Sequence, residues 1–367
     1  MGLAALALPV PLRAAARREY RVPVELAARR LLVACTIEGQ GPFLLGIDTG
    51  GVVSMIEAGV AERLHLQTRG KTPLGIAGQH DMYTMFEARE VVFANAFRQE
   101  RVLLAGVEQA RFGPGVAGML AAGCMTSMDS ELNFEAMEWR LFPDGGPTRA
   151  GWVAHERAIR PTRIGSPHLF GQARLGAETL RCLLDTGAPT PTILRPKAAR
   201  RAGIGLDGQN WSPGQMNGRE ARIYRAKTAL HIGGLVIEEP LITVAEDAPG
   251  FIDDGIIGLP VIQRLNLASE VRAGRLWTRP NGRPAEVERY NMSGLWIDQR
   301  GGVLLAGRVG KGSPAEKAGI VPGDRIAGMT FGPMIARLNG RAGLEVSLQV
   351  THGGAKRDAT LVLEDYL

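Results

Sequence analysis

The chain has 367 residues, 45% hydrophobic and 22% charged, a composition that argues against a disordered protein and predicts two or three globular domains. Its net charge of +6 comes from arginines scattered along the chain and its aromatic content is only 5%, so nucleic-acid binding is not indicated. The 48 glycines and 22 prolines predict a mainly β protein with many turns.

The first 20 residues form a possible signal or leader segment. Residues 2–12 are apolar and run into three alanines at 14–16, which resembles the hydrophobic region and cleavage site of a signal peptide without its basic start. A disordered N-terminus would give the same pattern. We expect a periplasmic or secreted protein, with the cytoplasm as the alternative. No stretch approaches the ~18 apolar residues that span a bilayer, so no membrane span is expected.

An internal repeat dominates the middle of the chain. FLLGIDTGG at 43–51 recurs as LRCLLDTGA at 180–188, which places Asp48 and Asp185 at equivalent positions. The similarity extends upstream without gaps, from residues 32–50 onto residues 169–187. Two Asp-Thr-Gly sequences that each follow an apolar strand are far more specific than one.

Further matches follow each Asp-Thr-Gly. VAG at 116–118 corresponds to IIG at 256–258, and the strand-like runs at 131–143 and 267–280 both close with proline. The repeat therefore predicts a first lobe over residues 21–145 and a second over residues 155–281. The plainer alternative is a pair of exposed turns in a duplicated β domain.

After Pro280 the composition changes, which predicts a separate domain over residues 286–367. Within it, Ser313 and Pro314 are typical of the start of a short helix, and Gly319 is typical of its end. A turn and a strand are expected to follow.

Cofactors and metals are not indicated. The three cysteines (Cys35, Cys124 and Cys182) form no CxxC pair and lie in apolar runs, so we expect buried free thiols. The six histidines show no metal-ligand spacing, and each is expected to be structural or exposed. A GxGxxG sequence at 203–208 follows a helix-like stretch instead of a strand, so a dinucleotide site is not expected.

Two duplicated lobes can pack about a pseudo-twofold axis, and residues near that axis then face their equivalents. Asp48 would face Asp185. Carboxylates about 4 Å apart repel by about 4 kcal/mol at an effective dielectric of about 20, so such a pair shares one proton and can hold and activate a water. Gly50 and Gly187 would permit the tight turns.

The motifs Asp48-Thr49-Gly50 and Asp185-Thr186-Gly187-Ala188, with the glycines of their triplets at Gly118 and Gly258, resemble the pepsin and retropepsin superfamily of aspartic proteases. Bacterial single-chain members with two fused retropepsin-like lobes are the most similar. The resemblance covers residues 21–281. It implies a closed β-barrel of about six to eight strands in each lobe, a polypeptide substrate and hydrolysis without metal or cofactor. Because both aspartates lie in one chain, a monomer is expected.

Some positions depart from the family or leave two interpretations open. Gly51 stands where the family has Ala or Ser, and the first triplet is smaller than the usual aliphatic pair. The glycine-rich stretches at 75–78 and 213–218 lie where the family has hairpin flaps, and ordinary surface hairpins are an equal alternative. Tyr83 and Tyr224 flank these stretches.

Residues 293–329 resemble a PDZ domain of the bacterial protease-associated type, which implies a small α+β fold. In such domains a peptide adds as a strand to the sheet edge and backbone N–H groups of a loop hold its carboxylate. The resemblance places that loop at Ser293, Gly294, Leu295 and Trp296. A plain turn, with Trp296 in the domain core, is the alternative.

The sequence thus predicts an aspartic endopeptidase whose PDZ domain binds a substrate or the C-terminus of a partner protein. The competing hypothesis is a non-catalytic peptide-binding scaffold that keeps the protease fold. A scaffold has no chemical need for both aspartates, so their joint presence favours the enzyme.

Overall fold

The computed structural model describes residues 17–76, 79–108, 112–216, 218–245 and 252–367, and the protein in these ranges is mainly β. Most of the possible leader, residues 1–16, lies outside the described residues. So do the tips of the two glycine-rich stretches, at residues 77–78 and 217. Across the described ranges, no helix is long and apolar enough to cross a bilayer.

The first half of the chain, up to residue 150, has ten strands and two short helices among its described residues. The strands are β1 (Tyr20–Ala27), β2 (Arg30–Ile37), β3 (Gln40–Ile47), β4 (Met55–Glu57), β5 (Gln67–Ile76), β6 (Gln79–Phe93), β7 (Phe97–Val107), β8 (Val116–Leu120), β9 (Asp129–Asn133) and β10 (Glu138–Phe142). The helices are α1 (Ala58–Arg63) and α2 (Gly123–Thr126).

The second half begins after residue 150. Its strands are β11 (Val153–His155), β12 (Ile159–Arg160), β13 (His168–Leu175), β14 (Glu178–Asp185), β15 (Thr192–Leu194), β16 (Ser212–Met216), β17 (Arg219–Arg225), β18 (Leu230–Ile232), β19 (Leu235–Ile237), β20 (Leu241–Ala245), β21 (Gly255–Gly258), β22 (Leu265–Glu270) and β23 (Arg275–Pro280). Its helices are α3 (Pro196–Arg201) and α4 (Leu259–Ile262).

The C-terminal module, residues 286–367, is a five-stranded antiparallel sheet with two helices. Its elements are β24 (Leu295–Arg300), β25 (Val303–Val309), α5 (Pro314–Lys317), β26 (Arg325–Ala327), α6 (Phe331–Leu338), β27 (Glu345–His352) and β28 (Ala355–Val362). The predicted short helix is confirmed as α5, because the Ser313 hydroxyl accepts the N–H of Glu316 at 3.2 Å and Pro314 is the first helical residue.

One sheet contains strands from both halves. Its thirteen strands run in the order β11-β23-β22-β9-β10-β1-β2-β3-β8-β4-β7-β6-β5. At the junction β9 pairs antiparallel with β22, with Leu132 opposite Leu267. The expected closed barrel within each lobe is therefore modified, because the strands after the two triplets pair with each other. Both strands are almost wholly buried, so an unpaired edge there would leave backbone groups without hydrogen bonds.

The remaining strands of the second half form a ten-stranded sheet, in the order β16-β17-β20-β15-β21-β14-β13-β18-β19 with β12 paired to β13. The largest hydrophobic cluster takes residues from both halves, including Phe93, Trp139 and Leu265. The C-terminal module has its own cluster around Leu295, Met334 and Leu361. The first and second halves therefore share one hydrophobic core, whereas the C-terminal module has a hydrophobic core of its own.

The cysteines are free thiols, with Cys35 and Cys182 buried and Cys124 partly buried. Burial raises the pKa of both Cys35 and Cys124 to about 12, and it raises the pKa of Cys182 as well. Such thiols stay protonated at neutral pH and act as small apolar groups.

Candidate active site

Two equivalent strands deliver the Asp-Thr-Gly loops. β3 ends one residue before Asp48, and β14 ends at Asp185. The triplet strand β8 runs parallel to β3, and β21 runs parallel to β14 with Gly258 opposite Asp185. Each loop therefore emerges beside the strand that carries its triplet.

The glycine that ends each triplet lies against backbone. A Cβ atom on Gly118 would be 2.2 Å from the carbonyl oxygen of Met55, and one on Gly258 would be 2.1 Å from that of Thr190. Real Cβ atoms do not approach backbone so closely, so a side chain at either position would force the chains apart. This close approach explains why both triplets end in glycine.

The two loops are joined by reciprocal hydrogen bonds. The Thr49 N–H donates to Thr186 Oγ1 and the Thr186 N–H donates to Thr49 Oγ1, both at 3.0 Å. The Thr49 hydroxyl donates to the Leu184 carbonyl at 2.7 Å, and the Thr186 hydroxyl donates to the Ile47 carbonyl at 2.6 Å. Both threonines are buried, so this network fixes each loop against the other.

Backbone N–H groups orient the Asp48 carboxyl within its own loop. Asp48 Oδ1 accepts the N–H of Gly50 and the N–H of Gly51, both at 3.0 Å. Two donors on one oxygen stabilise the ionised carboxylate and hold its rotamer.

The second loop repeats this arrangement. Asp185 Oδ1 accepts the N–H of Gly187 at 2.8 Å and the N–H of Ala188 at 3.1 Å. Because Gly51 and Ala188 donate equivalent bonds, the departure from the family pattern at Gly51 leaves the first loop with the same hydrogen bonds as the second.

The two carboxyl groups meet at the junction of the loops. A Cβ atom on Gly50 would lie 2.3 Å from Asp185 Cγ, and one on Gly187 would lie 2.6 Å from Asp48 Cγ. Each carboxyl therefore lies against the glycine of the opposite loop, which brings the two carboxyls together. Two carboxylates brought together in this way repel each other, which favours one proton shared by the pair.

The electrostatics of the pair agree with one shared proton. Burial raises the pKa of Asp185 well above its ordinary value, and the neighbouring Asp48 raises it further. Burial also raises the pKa of Asp48, where hydrogen bonds from Asp185 and the loop N–H groups and the charge of Arg30 oppose the rise. Because the two carboxyls are coupled, they titrate as a unit.

Sequence reasoning missed a third contributor, His168. This buried side chain in β13 places Nε2 3.1 Å from the Gly50 carbonyl oxygen, and since a carbonyl only accepts, Nε2 carries the hydrogen. Burial lowers the pKa of His168. Its partner lies 118 residues earlier in the chain, so no local pattern could have indicated the contact.

The described strands on either side of the two glycine-rich tips pair as the hairpins β5–β6 and β16–β17. Tyr83 and Tyr224, which flank them, are buried in hydrophobic clusters and are core residues. Gln215 and Ile223 of the β16–β17 hairpin line a cavity of about 730 Å³ together with residues 189–191, which follow the Asp185 loop. This hairpin therefore borders a cavity that reaches the residues directly after the Asp185 loop.

In the structure, the backbone N–H groups of residues 293–295 donate to oxygens of the same segment and are not free to bind a carboxylate. The N–H groups of Ser293 and Gly294 donate at 3.0 Å to the side chain and backbone oxygens of Asn291, and the Leu295 N–H donates to Ser293 Oγ at 3.1 Å. These donors are already used within the loop. Trp296 is half-buried on the face opposite the module core, so it does not fill the core either.

In the described ranges, no group of three or more histidine, cysteine, aspartate or glutamate side chains is arranged to hold a metal ion. The site contains two adjacent carboxyls, held in place by hydroxyl and backbone hydrogen bonds.

Comparison with known proteins finds a family that matches part of the chain and a solved structure that is similar to it. The segment 172–261, which contains the second Asp-Thr-Gly loop and its triplet, matches the aspartyl protease family. No curated protein matches the chain. Among solved structures, the aspartic proteinase from Irpex lacteus aligns with 72% of this chain and 98% of its own, at 14% identity and a TM-score of 0.47.

Proposed function

We propose that the chain is an aspartic endopeptidase in which Asp48 and Asp185 together activate a water molecule. The observation that carries this proposal is the position of the two carboxyls, each lying against the glycine of the opposite loop and each fixed by two N–H groups of its own loop. The family match over residues 172–261 supports it, because that segment includes one of the two loops.

In the proposed reaction the water lies between the carboxyls and faces the scissile carbonyl of an extended polypeptide. Ionised Asp48 takes a proton from the water as its oxygen attacks the carbonyl carbon, and Asp185 donates its proton to the carbonyl oxygen. In the tetrahedral intermediate the C–N bond then breaks, the leaving nitrogen takes the proton held by Asp48, and a hydroxyl of the intermediate returns a proton to Asp185. No charge beyond that of the pair needs to develop in the site.

The proposal extends to the organisation of the chain. Residues 21–145 and 155–281 each supply one loop, so a monomer contains the complete site. Residues 286–367 are proposed as a PDZ-like module. Its sheet supports this assignment, since α6 packs on β24 and β24 is the terminal strand of the sheet order, paired within that sheet only to β25. In PDZ domains a peptide adds as a strand at a sheet edge.

Substitution of each aspartate tests the mechanism. We expect Asp48→Asn and Asp185→Asn each to lower the cleavage of an unfolded protein substrate by on the order of 10³-fold or more at every pH from 3 to 7, with no additional loss in the double variant. Asp207→Asn, at an exposed position, is the matched control and should cleave like the wild type.

The three possible outcomes have distinct meanings. Loss of cleavage in both single variants supports the paired mechanism. Cleavage that survives either substitution would rule it out. If the wild type binds unfolded peptides but cleaves none, the non-catalytic scaffold is the better description.

A further inference from the structure

We propose that Arg308 of the C-terminal module is a positioning residue for the β16–β17 hairpin, through which the module sets how well substrate binds beside the paired carboxyls. This inference rests on the proposed function for its effect on cleavage, whereas the contact itself is independent of catalysis.

Arg308 joins both strands of the hairpin with one side chain. Its Nη2 donates to the Gly214 carbonyl at 3.0 Å and its Nη1 donates to the Ala221 carbonyl at 3.1 Å. Gly214 and Ala221 are opposite each other in the register of β16 and β17. The planar guanidinium thus binds a matched pair of carbonyls, which the single ammonium of lysine could not do in the same geometry.

The surroundings of Arg308 hold the guanidinium in place. Its side chain is only 14% exposed, and its guanidinium carbon lies 4.6 Å from the ring centre of Trp296, which is opposite Arg308 in the register of β24 and β25. Glu220 of the hairpin lies 3.7 Å away and adds an opposite charge. A buried, stacked and paired arginine is a fixed contact, unlike a flexible one on the surface.

Residues 210–212, which lead into the hairpin and are called its foot below, also bond to the C-terminal module. Four further hydrogen bonds connect it, from the Trp211 N–H to the Lys311 carbonyl at 3.3 Å, from the Ser212 hydroxyl to the Asn291 carbonyl at 3.0 Å, from the Asn210 amide to the Tyr366 carbonyl at 2.8 Å and from the Tyr366 hydroxyl to the Trp211 carbonyl at 3.3 Å. The module therefore holds the hairpin both at its foot and along its strands.

The far part of the hairpin lines a cavity that reaches the segment directly after the Asp185 loop, where we propose that substrate binds. Gln215, next to Gly214, lines the cavity that also includes residues 189–191, immediately after the Asp185 loop. The corresponding hairpin β5–β6 is held by strands of its own half, since β6 pairs with β7 and β2. A change at Arg308 should therefore move the β16–β17 hairpin, on one side of the proposed substrate region, and leave the β5–β6 hairpin unchanged.

Hydrogen exchange of the full-length chain tests the contact directly. In Arg308→Met we expect amides of residues 212–225 to exchange about 10-fold faster or more, while residues 79–93 exchange as in the wild type. Arg308→Lys should give an intermediate rate. Arg300→Met changes an arginine of β24 whose side chain is 77% exposed, and it serves as the matched control. Unchanged exchange of residues 212–225 in Arg308→Met would overturn the proposal.

Cleavage kinetics test the consequence. Because Arg308 makes no contact with the paired carboxyls, we expect Arg308→Met to raise KM about 3- to 10-fold with kcat within about twofold, and Arg308→Lys to recover part of the loss. A fall in kcat at constant KM, or equal effects of Met and Lys, would contradict a positioning role.

Two further comparisons separate misfolding of the variant, or a lack of cleavage, from absence of the proposed contact. If Arg308→Met does not fold, Ser212→Ala removes a single bond of the hairpin foot, and faster exchange of residues 213–225 in that variant would support the module contact while unchanged exchange would overturn it. If the wild type cleaves no substrate, the proposed function fails, and the exchange rates still decide whether the module holds the hairpin.

Discussion

Gly50 and Gly187 show why the motif tolerates no side chain at its third position. Each glycine supports the carboxyl of the opposite loop, and a Cβ atom would overlap the carboxyl carbon at 2.3 or 2.6 Å. The carboxyls cannot retreat, since each is held by two N–H groups of its own loop. An added methyl group must therefore separate the pair.

We expect Gly50→Ala to lower kcat/KM by on the order of 10²-fold or more, because a displacement of about 1 Å between reacting groups costs about that much. Gly282→Ala, at a position where a Cβ atom would meet nothing within 4 Å, should leave kcat/KM unchanged. Steady-state cleavage by the two variants gives the comparison. If Gly50→Ala retains wild-type kcat/KM, the carboxyls are not in contact through this glycine.

The segment that enters the second half supports the first catalytic loop. The Ser166 N–H donates to the Val52 carbonyl at 2.7 Å, and His168 bonds the Gly50 carbonyl from the start of β13. A Cβ atom on Gly165 would lie 2.1 Å from the same Val52 oxygen. The first loop thus depends on an element that lies beyond the end of its own half.

Substitution of His168 tests this dependence. We expect His168→Leu, which removes the donor, to lower kcat about 10-fold with little change in KM, since the loop carries a reacting group and not a substrate contact. His168→Gln retains an N–H donor and should keep most of the activity. His231→Gln, in β18, is the control. Equal losses for Leu and Gln at position 168 would show that the hydrogen bond is unimportant.

The sequence could predict those elements that are determined by a short stretch of neighbouring residues. The strands β3 and β14, the loops after them and the capped helix α5 all follow from short patterns of apolar, turn and capping residues. The pairing of β9 with β22 could not be predicted, because a buried apolar run indicates a strand but does not name its partner. The contact of Arg308 with Gly214 spans 94 residues and leaves no local signature for the same reason.

The proton shared by the aspartates affects the stability of the whole molecule. Both carboxyls have a pKa above the ordinary 3.8 in the folded chain, so folding takes up protons at pH values above 3.8. For a group whose pKa is raised by folding, the contribution to stability is greatest below the unfolded pKa and is lost as the pH rises through the folded pKa. The site therefore destabilises the fold at neutral pH.

Asp185→Asn removes this proton uptake and keeps an oxygen that can accept the N–H bonds of its loop. We expect its Tm to exceed that of the wild type at pH 7 by a few degrees, on the order of 3 °C, and the difference to disappear near pH 4. Every other titrating group is common to the two proteins, so the change in the difference with pH isolates the pair. Asp207→Asn should show no such dependence on pH. A Tm difference for Asp185→Asn that is the same at pH 4 and pH 7 would mean that the two carboxyls do not share a proton in the folded chain.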